Sequence, residues 1–192
     1  MGAEGELERF RWTVTDYHRM VEVGLLDADA RVELIDGEIV RMAPIGLLHA
    51  DCVNRIGVRL ARAVGDDAYL SFGNPVRLSQ YDEPQPDLML LAPRSSGYSQ
   101  HAPGPEDVLL AIEVSDSTLR TDLRIKVPLY ARTGVAEVWV IDVENERLLA
   151  FDQLEASTYV RQREAKAGTA LSPHRLPTLS IAVADIFNWR GG

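Results

Sequence analysis

The chain has 192 residues, 46% of them hydrophobic and 26% charged, an ordinary balance for a globular protein large enough to bury a core. Its 20 basic residues against 29 acidic ones leave a formal charge of −9, which argues against a general basic coat for nucleic acid, and its single cysteine, Cys52, excludes an intrachain disulfide. No apolar run approaches the roughly 20 residues a membrane helix requires. The acidic start, Met1 to Glu8, lacks the basic-then-apolar order of a signal peptide, so one domain over residues 1–192 in a reducing cytoplasm is expected.

In chain order, Thr15 to Val23 reads as a short helix, capped by Thr13 or Thr15 and stopped by Gly24. Arg31 to Met42 is a hairpin, because Asp36-Gly37 supplies the positive φ of a tight turn between two alternating strands. Leu48 to Val64 is an amphipathic helix with Cys52, Ile56, Leu60 and Ala63 on one stripe, Arg55, Arg59 and Arg62 on the other side, and Gly65 at its end. Strands follow at Tyr69–Phe72, Val76–Ser79, Asp87–Leu91 and Val108–Val114, the last two separated by a Ser-, Gly- and Pro-rich loop (Pro93 to Pro105) expected to be mobile. A helix from about Leu119 to Arg132 comes next, then strands at Val138–Asp142, Leu148–Phe151 and Thr158–Arg163, and a helical turn near Val183–Phe187. Pro128 lacks the N–H that would pair with the Arg124 carbonyl, so the helix carrying Lys126 is expected to kink or to begin irregularly. The order implies an α+β or α/β fold: a mixed central sheet flanked by helices, preceded by an N-terminal hairpin.

The chemistry concentrates on Asp87, Glu113 and Lys126. Asp87 follows a proline and opens the apolar run Leu88–Leu91, while Glu113 interrupts a run of the kind that marks strands buried on both faces. A carboxylate so placed is costly unless it is paired or metal-bound. Two such carboxylates on neighbouring strands suit Mg²⁺, or Mn²⁺, and a nearby ammonium can stabilise charge on a phosphate or orient an attacking water. Each residue also has a plainer reading. Asp87 can be a solvated strand-start residue, Glu113 a buried salt bridge to Arg120 or Arg124, and Lys126 an exposed i,i+4 partner of Asp122. Strand parity puts Glu33 on one face with Arg31 and Ile35, where exposure to water is as natural as a site role.

The strings Gln85-Pro-Asp-Leu-Met-Leu-Leu91, Ile112-Glu-Val-Ser-Asp-Ser-Thr118, Arg120 to Ala131 and Gly134-Val-Ala-Glu-Val-Trp-Val-Ile-Asp142 stand in order, after Glu33 to Pro44 and His49. Together they resemble the Uma-type family of proposed restriction endonucleases. The resemblance implies a restriction-endonuclease-like fold of the PD-(D/E)xK type and metal-dependent hydrolysis of DNA. It implies Asp87 and Glu113 as metal ligands, with the Val114 carbonyl as a further one, and Glu33 as a supporting acid. His49, Asp122 and Arg124 are weaker candidates for contacts to substrate. Ser115 occupies the place where the superfamily usually has its lysine, and the resemblance moves that role to Lys126 on the helix.

Three other readings compete: a non-catalytic nucleic-acid-binding or regulatory module of the same fold, a metal-dependent hydrolase of small phosphoesters, and an interaction protein whose buried carboxylates are ion-paired. Symmetric dimers are the commonest soluble oligomers, so a homodimer is expected. Trp139, in the apolar run Val138–Ile141, is read as core.

Overall fold

The computed structural model describes residues 9–187; the acidic start read from Met1 to Glu8 lies outside them. Thr13 caps the first helix, α1 (Val14–Glu22), in a reciprocal box: its hydroxyl accepts from the Asp16 N–H and the Asp16 carboxylate accepts from the Thr13 N–H. The hairpin follows as β1 (Val32–Ile35) and β2 (Glu38–Arg41), joined by Asp36 at φ 52° and Gly37 at φ 75°. Both turn residues are left-handed, the condition for the tight turn read from the sequence. Gly37 is required twice over, since a Cβ there would lie 2.6 Å from the Cβ of Arg11.

Helix α2 (Leu47–Val64) turns Cys52, Ile56, Leu60 and Val64 inward and ends at Gly65. Beneath it lies a six-stranded sheet in the order β3 (Tyr69–Phe72), β4 (Leu88–Leu91), β5 (Val108–Ser115), β6 (Val138–Asp142), β7 (Arg147–Glu155) and β8 (Thr158–Ala165). Every neighbouring pair is antiparallel except β5 and β6, which run parallel. A parallel pair needs a crossover, and here it consists of α3 (Leu119–Thr121), a π-helical stretch Asp122–Lys126 and α4 (Val127–Thr133). A two-stranded ladder, β9 (Ala170–Leu171) with β10 (Ile181–Ala182), leads into α5 (Val183–Phe187).

Strand parity sorts the core into two layers. Leu88, Leu90, Leu110, Ile112, Val114, Trp139 and Ile141 face α2 and α5; Met89, Leu91, Ala111, Val138 and Val140 face α4, Val76 and Leu78. Trp139 has no exposed surface, in keeping with its reading as core. The architecture is the mixed sheet flanked by helices expected from the sequence.

Two local expectations are corrected. Val76–Ser79 is extended but forms no strand of the sheet: Val76 and Leu78 donate to the carbonyls of Pro84 and Asp82, and Pro84 and Pro86 have no N–H with which to prolong a ladder. The helix expected over 119–132 is broken into three pieces. Lacking a donor at Pro128, the preceding turn widens, and the Val127 N–H bonds to the Asp122 carbonyl five residues back. The irregularity therefore sits on the turn that carries Lys126. Among the described residues no helix is long and apolar enough to cross a membrane.

Candidate active site

Parity sends Glu113 to the same face of β5 as Ala111, towards the crossover helix. It is 3% exposed. In the antiparallel register Leu88 faces Ile112, so one further step sets Asp87 opposite Glu113. The ladder stops there because Pro86 has no donor. The Asp87 carboxylate takes over instead: its Oδ2 accepts the Val114 N–H at 2.7 Å, and its Oδ1 lies 3.0 Å from His49 Nε2. His49, in the first turn of α2, is thus brought to the site by its own side chain.

The widened turn aims Lys126 inward, where it is 8% exposed. Its Nζ lies 3.2 Å from Glu113 Oε2 and 3.3 Å from Glu33 Oε2. Glu33 is 5% exposed, which removes the solvent-facing reading, and it also accepts the Gln85 N–H at 3.2 Å. The exposed pair of Lys126 with Asp122 is not formed. Asp122 is buried and accepts from Ser115 Oγ at 2.7 Å and Thr118 Oγ1 at 2.6 Å, tying the end of β5 to the start of the crossover. Neither Arg120 nor Arg124 is the partner of Glu113; both are exposed, and Arg124 lies outside the cavity wall.

Tyr130 was not singled out from the sequence, although its place four residues after Lys126 puts both on one stripe. It is fully buried, and its hydroxyl donates to Glu113 Oε1 at 2.6 Å. Burial pushes the Glu113 carboxyl up to about 8; Lys126 and Tyr130 oppose this, and the charges of Asp87 and Asp122 add to it. Burial works against the Lys126 ammonium, yet Glu113, Glu33, Asp122 and Asp87 together hold it above its ordinary value and charged. Burial, then the Glu113 charge, raises the Tyr130 phenol well above its usual range, so it serves as a donor. The His49 imidazole is raised chiefly by its hydrogen bond to Asp87, against the effect of burial, with the Val114 backbone assisting.

These groups share a cavity of about 340 Å³. Its floor is acidic, with Glu33, Asp87, Glu113, Asp116 and Asp122. Arg31, Arg41 and the apolar segment 42–46 after the hairpin also line the cavity. The arginines were missed because nothing in the spacing separates them from ordinary exposed strand residues. Among the described residues no group of three or more His, Cys, Asp or Glu side chains is arranged to hold a metal unaided. Asp87, Glu113 and Val114, the ligand set that the sequence resemblance implies, all line the cavity.

The sequence profile of the Uma2 family, described as "Putative restriction endonuclease", matches residues 14–184. No curated protein matches. Among solved structures the chain is similar to one described as "a putative nuclease" from Anabaena variabilis ATCC 29413, with 12% identity and a TM-score of 0.71, covering 92% of this chain and 98% of that one. At that identity the likeness establishes a shared fold. Because the family profile spans nearly the whole chain, including every residue of the cavity floor, this protein belongs to the Uma2 family.

Proposed function

We propose that this protein is a divalent-metal-dependent nuclease that hydrolyses phosphodiester bonds of DNA. One observation carries the reading: Asp87 and Glu113 stand opposite each other at the ends of adjacent strands, and a buried lysine from the crossover helix lies 3.2 Å from the Glu113 carboxylate. The donor set fits the ion. Mg²⁺ is commonly held by one or two carboxylates and completes its shell with waters and substrate phosphate, so Asp87, Glu113 and the Val114 carbonyl suffice without a third acidic ligand. Mn²⁺ accepts the same oxygens. When bound, the ion supplies Lewis-acid polarisation of a phosphoryl oxygen and makes water easier to deprotonate.

The remaining work belongs to side chains. Glu33 and Glu113 keep Lys126 charged and pointed into the cavity, where its ammonium stabilises negative charge on the phosphoryl oxygens and orients the attacking water. Tyr130 fixes one Glu113 oxygen, Oε1, while the other, Oε2, takes the Lys126 ammonium. His49 and the Val114 N–H fix the Asp87 carboxylate, and Asp122 anchors the turn that presents Lys126. Arg31 and Arg41 are the cavity's cationic contacts for phosphate; the substrate role expected for Arg124 would be confined to DNA outside the cavity.

The test is cleavage of supercoiled plasmid and short labelled DNA with Mg²⁺ or Mn²⁺ by wild type beside Glu113→Gln. Cuts that need metal and vanish in the variant are expected; an inert wild type would remove the nuclease reading. The net charge of −9 favours a second reading, a metal-dependent hydrolase of small phosphoesters. Turnover that does not rise with substrate length would select it.

A further inference from the structure

One part of the cavity lining is unusual for a polar site. Between β2 and the first turn of α2 the chain reads Val40-Arg-Met-Ala-Pro-Ile-Gly-Leu-Leu48, and its aliphatic side chains stand in solvent. Ile45 is 58% and Leu47 91% exposed, with Val40 and Leu48 about as open as a surface residue usually is. Val40, Met42, Ala43, Pro44 and Ile45 also line the cavity, so this apolar ridge is continuous with the candidate active site rather than scattered over the surface. Contiguous exposed aliphatic surface at a site marks a contact.

Charge indicates what the contact is with. Arg41 pairs with Val32 across the hairpin, and the Met42 N–H bonds to the Arg31 carbonyl at 2.9 Å, which places both arginines at the open end of the hairpin beside the ridge. Both line the cavity, and among the described residues neither has an ion-pair partner. Arg77, Arg94 and Arg132, also exposed, are each paired with a carboxylate, so Arg31 and Arg41 are the cavity's guanidinium groups left uncompensated. A ridge of a few aliphatic side chains is small against the roughly 800 Å² per partner of a stable protein interface. An apolar wedge flanked by uncompensated guanidinium groups matches a nucleic-acid strand, whose phosphates meet the arginines and whose bases meet carbon.

We infer that the Val40–Leu48 ridge is a nucleobase contact. Ile45 and Leu47 enter between bases beside the scissile phosphate, while Arg31 and Arg41 hold the flanking phosphates. The inference rests on the nuclease reading and adds that cleavage occurs where the DNA can be unstacked, at mismatches, flexible steps or single-stranded junctions.

The test uses full-length protein and a duplex carrying one 2-aminopurine, whose fluorescence rises when it is unstacked. Wild type should raise the fluorescence severalfold on saturation. Ile45→Ser/Leu47→Ser should abolish the rise and weaken binding about tenfold, with an unchanged melting temperature, and Leu47→Met should retain the rise. Arg31→Ala/Arg41→Ala should make the dependence of log Kd on log salt shallower by about 2, at roughly 0.9 per phosphate contact. A serine variant with wild-type fluorescence and affinity overturns the inference while leaving the nuclease reading intact. So does a serine variant that binds DNA normally but sediments as monomer where wild type is a dimer, since the ridge would then join two copies. A wild type that binds no DNA removes both.

Discussion

Replacing Lys126 with methionine removes the ammonium while keeping the length and volume of the stem. In the native site that ammonium serves two carboxylates at 3.2 and 3.3 Å, so a large folding penalty would be the first expectation, about 3–5 kcal/mol for stranding a buried charge. Glu113 limits the penalty. Its carboxyl is already raised to about 8, so it is mostly protonated at neutral pH, and losing the neighbour that most opposes the rise only makes it more so. Tyr130 and the Gln85 N–H still hold Glu113 and Glu33 respectively. The net loss of stability should therefore stay near the value of one charged hydrogen bond, about 1.5–3 kcal/mol. Catalysis has no such substitute. A positioned electrostatic donor contributes about 100- to 1,000-fold in rate, so single-turnover cleavage of labelled duplex with Mn²⁺ should slow by that factor. Binding measured by anisotropy should change less than threefold, because the proposed phosphate contacts, Arg31 and Arg41, lie on the hairpin. Cleavage within threefold of wild type would refute the role of Lys126. A loss of affinity as large as the loss of rate would make it a binding residue instead.

Tyr130→Phe deletes the donor to Glu113 Oε1 and should cost about 1–2 kcal/mol in chemical denaturation and weaken Mn²⁺ binding in calorimetric titration; wild-type metal affinity would show that the hydroxyl does not position Glu113. Pro128→Ala restores an N–H for the Arg124 carbonyl, so the widened turn should relax towards α-helix and rotate Lys126 away from Glu113, lowering turnover at least tenfold with undiminished helical circular dichroism. Asp142 and Asp107 are held below the usual carboxylate range: burial opposes this, but the Arg147 and Asn145 hydrogen bonds prevail for the first, and the Gly104 N–H and Arg94 for the second. Depressed values mean that their stabilisation is complete above about pH 4 and lost as pH falls through the folded-state values, so denaturation midpoints should drop below pH 4, and less steeply in Asp142→Asn. Binding to DNA should show a salt slope of no more than roughly 4, from Arg31 and Arg41 on the cavity and Arg120 and Arg124 on the adjoining crossover, none of which has an ion-pair partner among the described residues, at about 0.9 each; a slope near 8 would require phosphate contacts beyond these four.

Long-period features were the legible ones. The Asp36-Gly37 hairpin follows from turn chemistry and alternation, α2 from its apolar stripe, and β4, β5 and β6 from continuous apolar runs. Asp87 and Glu113 were visible because a charge in a doubly buried strand must have a reason. What could not be read depends on contacts distant in sequence. Glu33 is buried only because Gln85 and Lys126 close over it, 52 and 93 residues away in the chain. Val76–Ser79 has the alternation of a strand, and only its three-dimensional neighbours reveal that its donors are used by Asp82 and Pro84. Pro128 announced an irregularity, but its form, a turn widened by one residue, depends on Asp122 being anchored by Ser115 and Thr118. The β9–β10 ladder is two residues long on each side, too short for any period to register.

The charge of −9 is the observation that fits a nuclease least well, and the structure changes what it means. Formal charge counts each carboxylate equally, whether or not a cation already faces it. Asp82, Asp107, Asp142, Asp152 and Glu137 are each buried against an arginine as neutral pairs, so the excess of nine negative charges rests on the other residues and its placement decides the field outside the protein. What remains near the cavity is divided by position. Its floor gathers five carboxylates around one lysine and one histidine, and its outer wall and the adjoining helix carry arginines without partners. A floor of excess negative charge draws a small dication inward, whereas free guanidinium groups at the mouth draw phosphate to the same opening. Neither half would suit a uniformly basic or uniformly acidic protein. Local separation of charge, rather than its sum, is therefore the physical reason for proposing that this acidic chain acts on a polyanion.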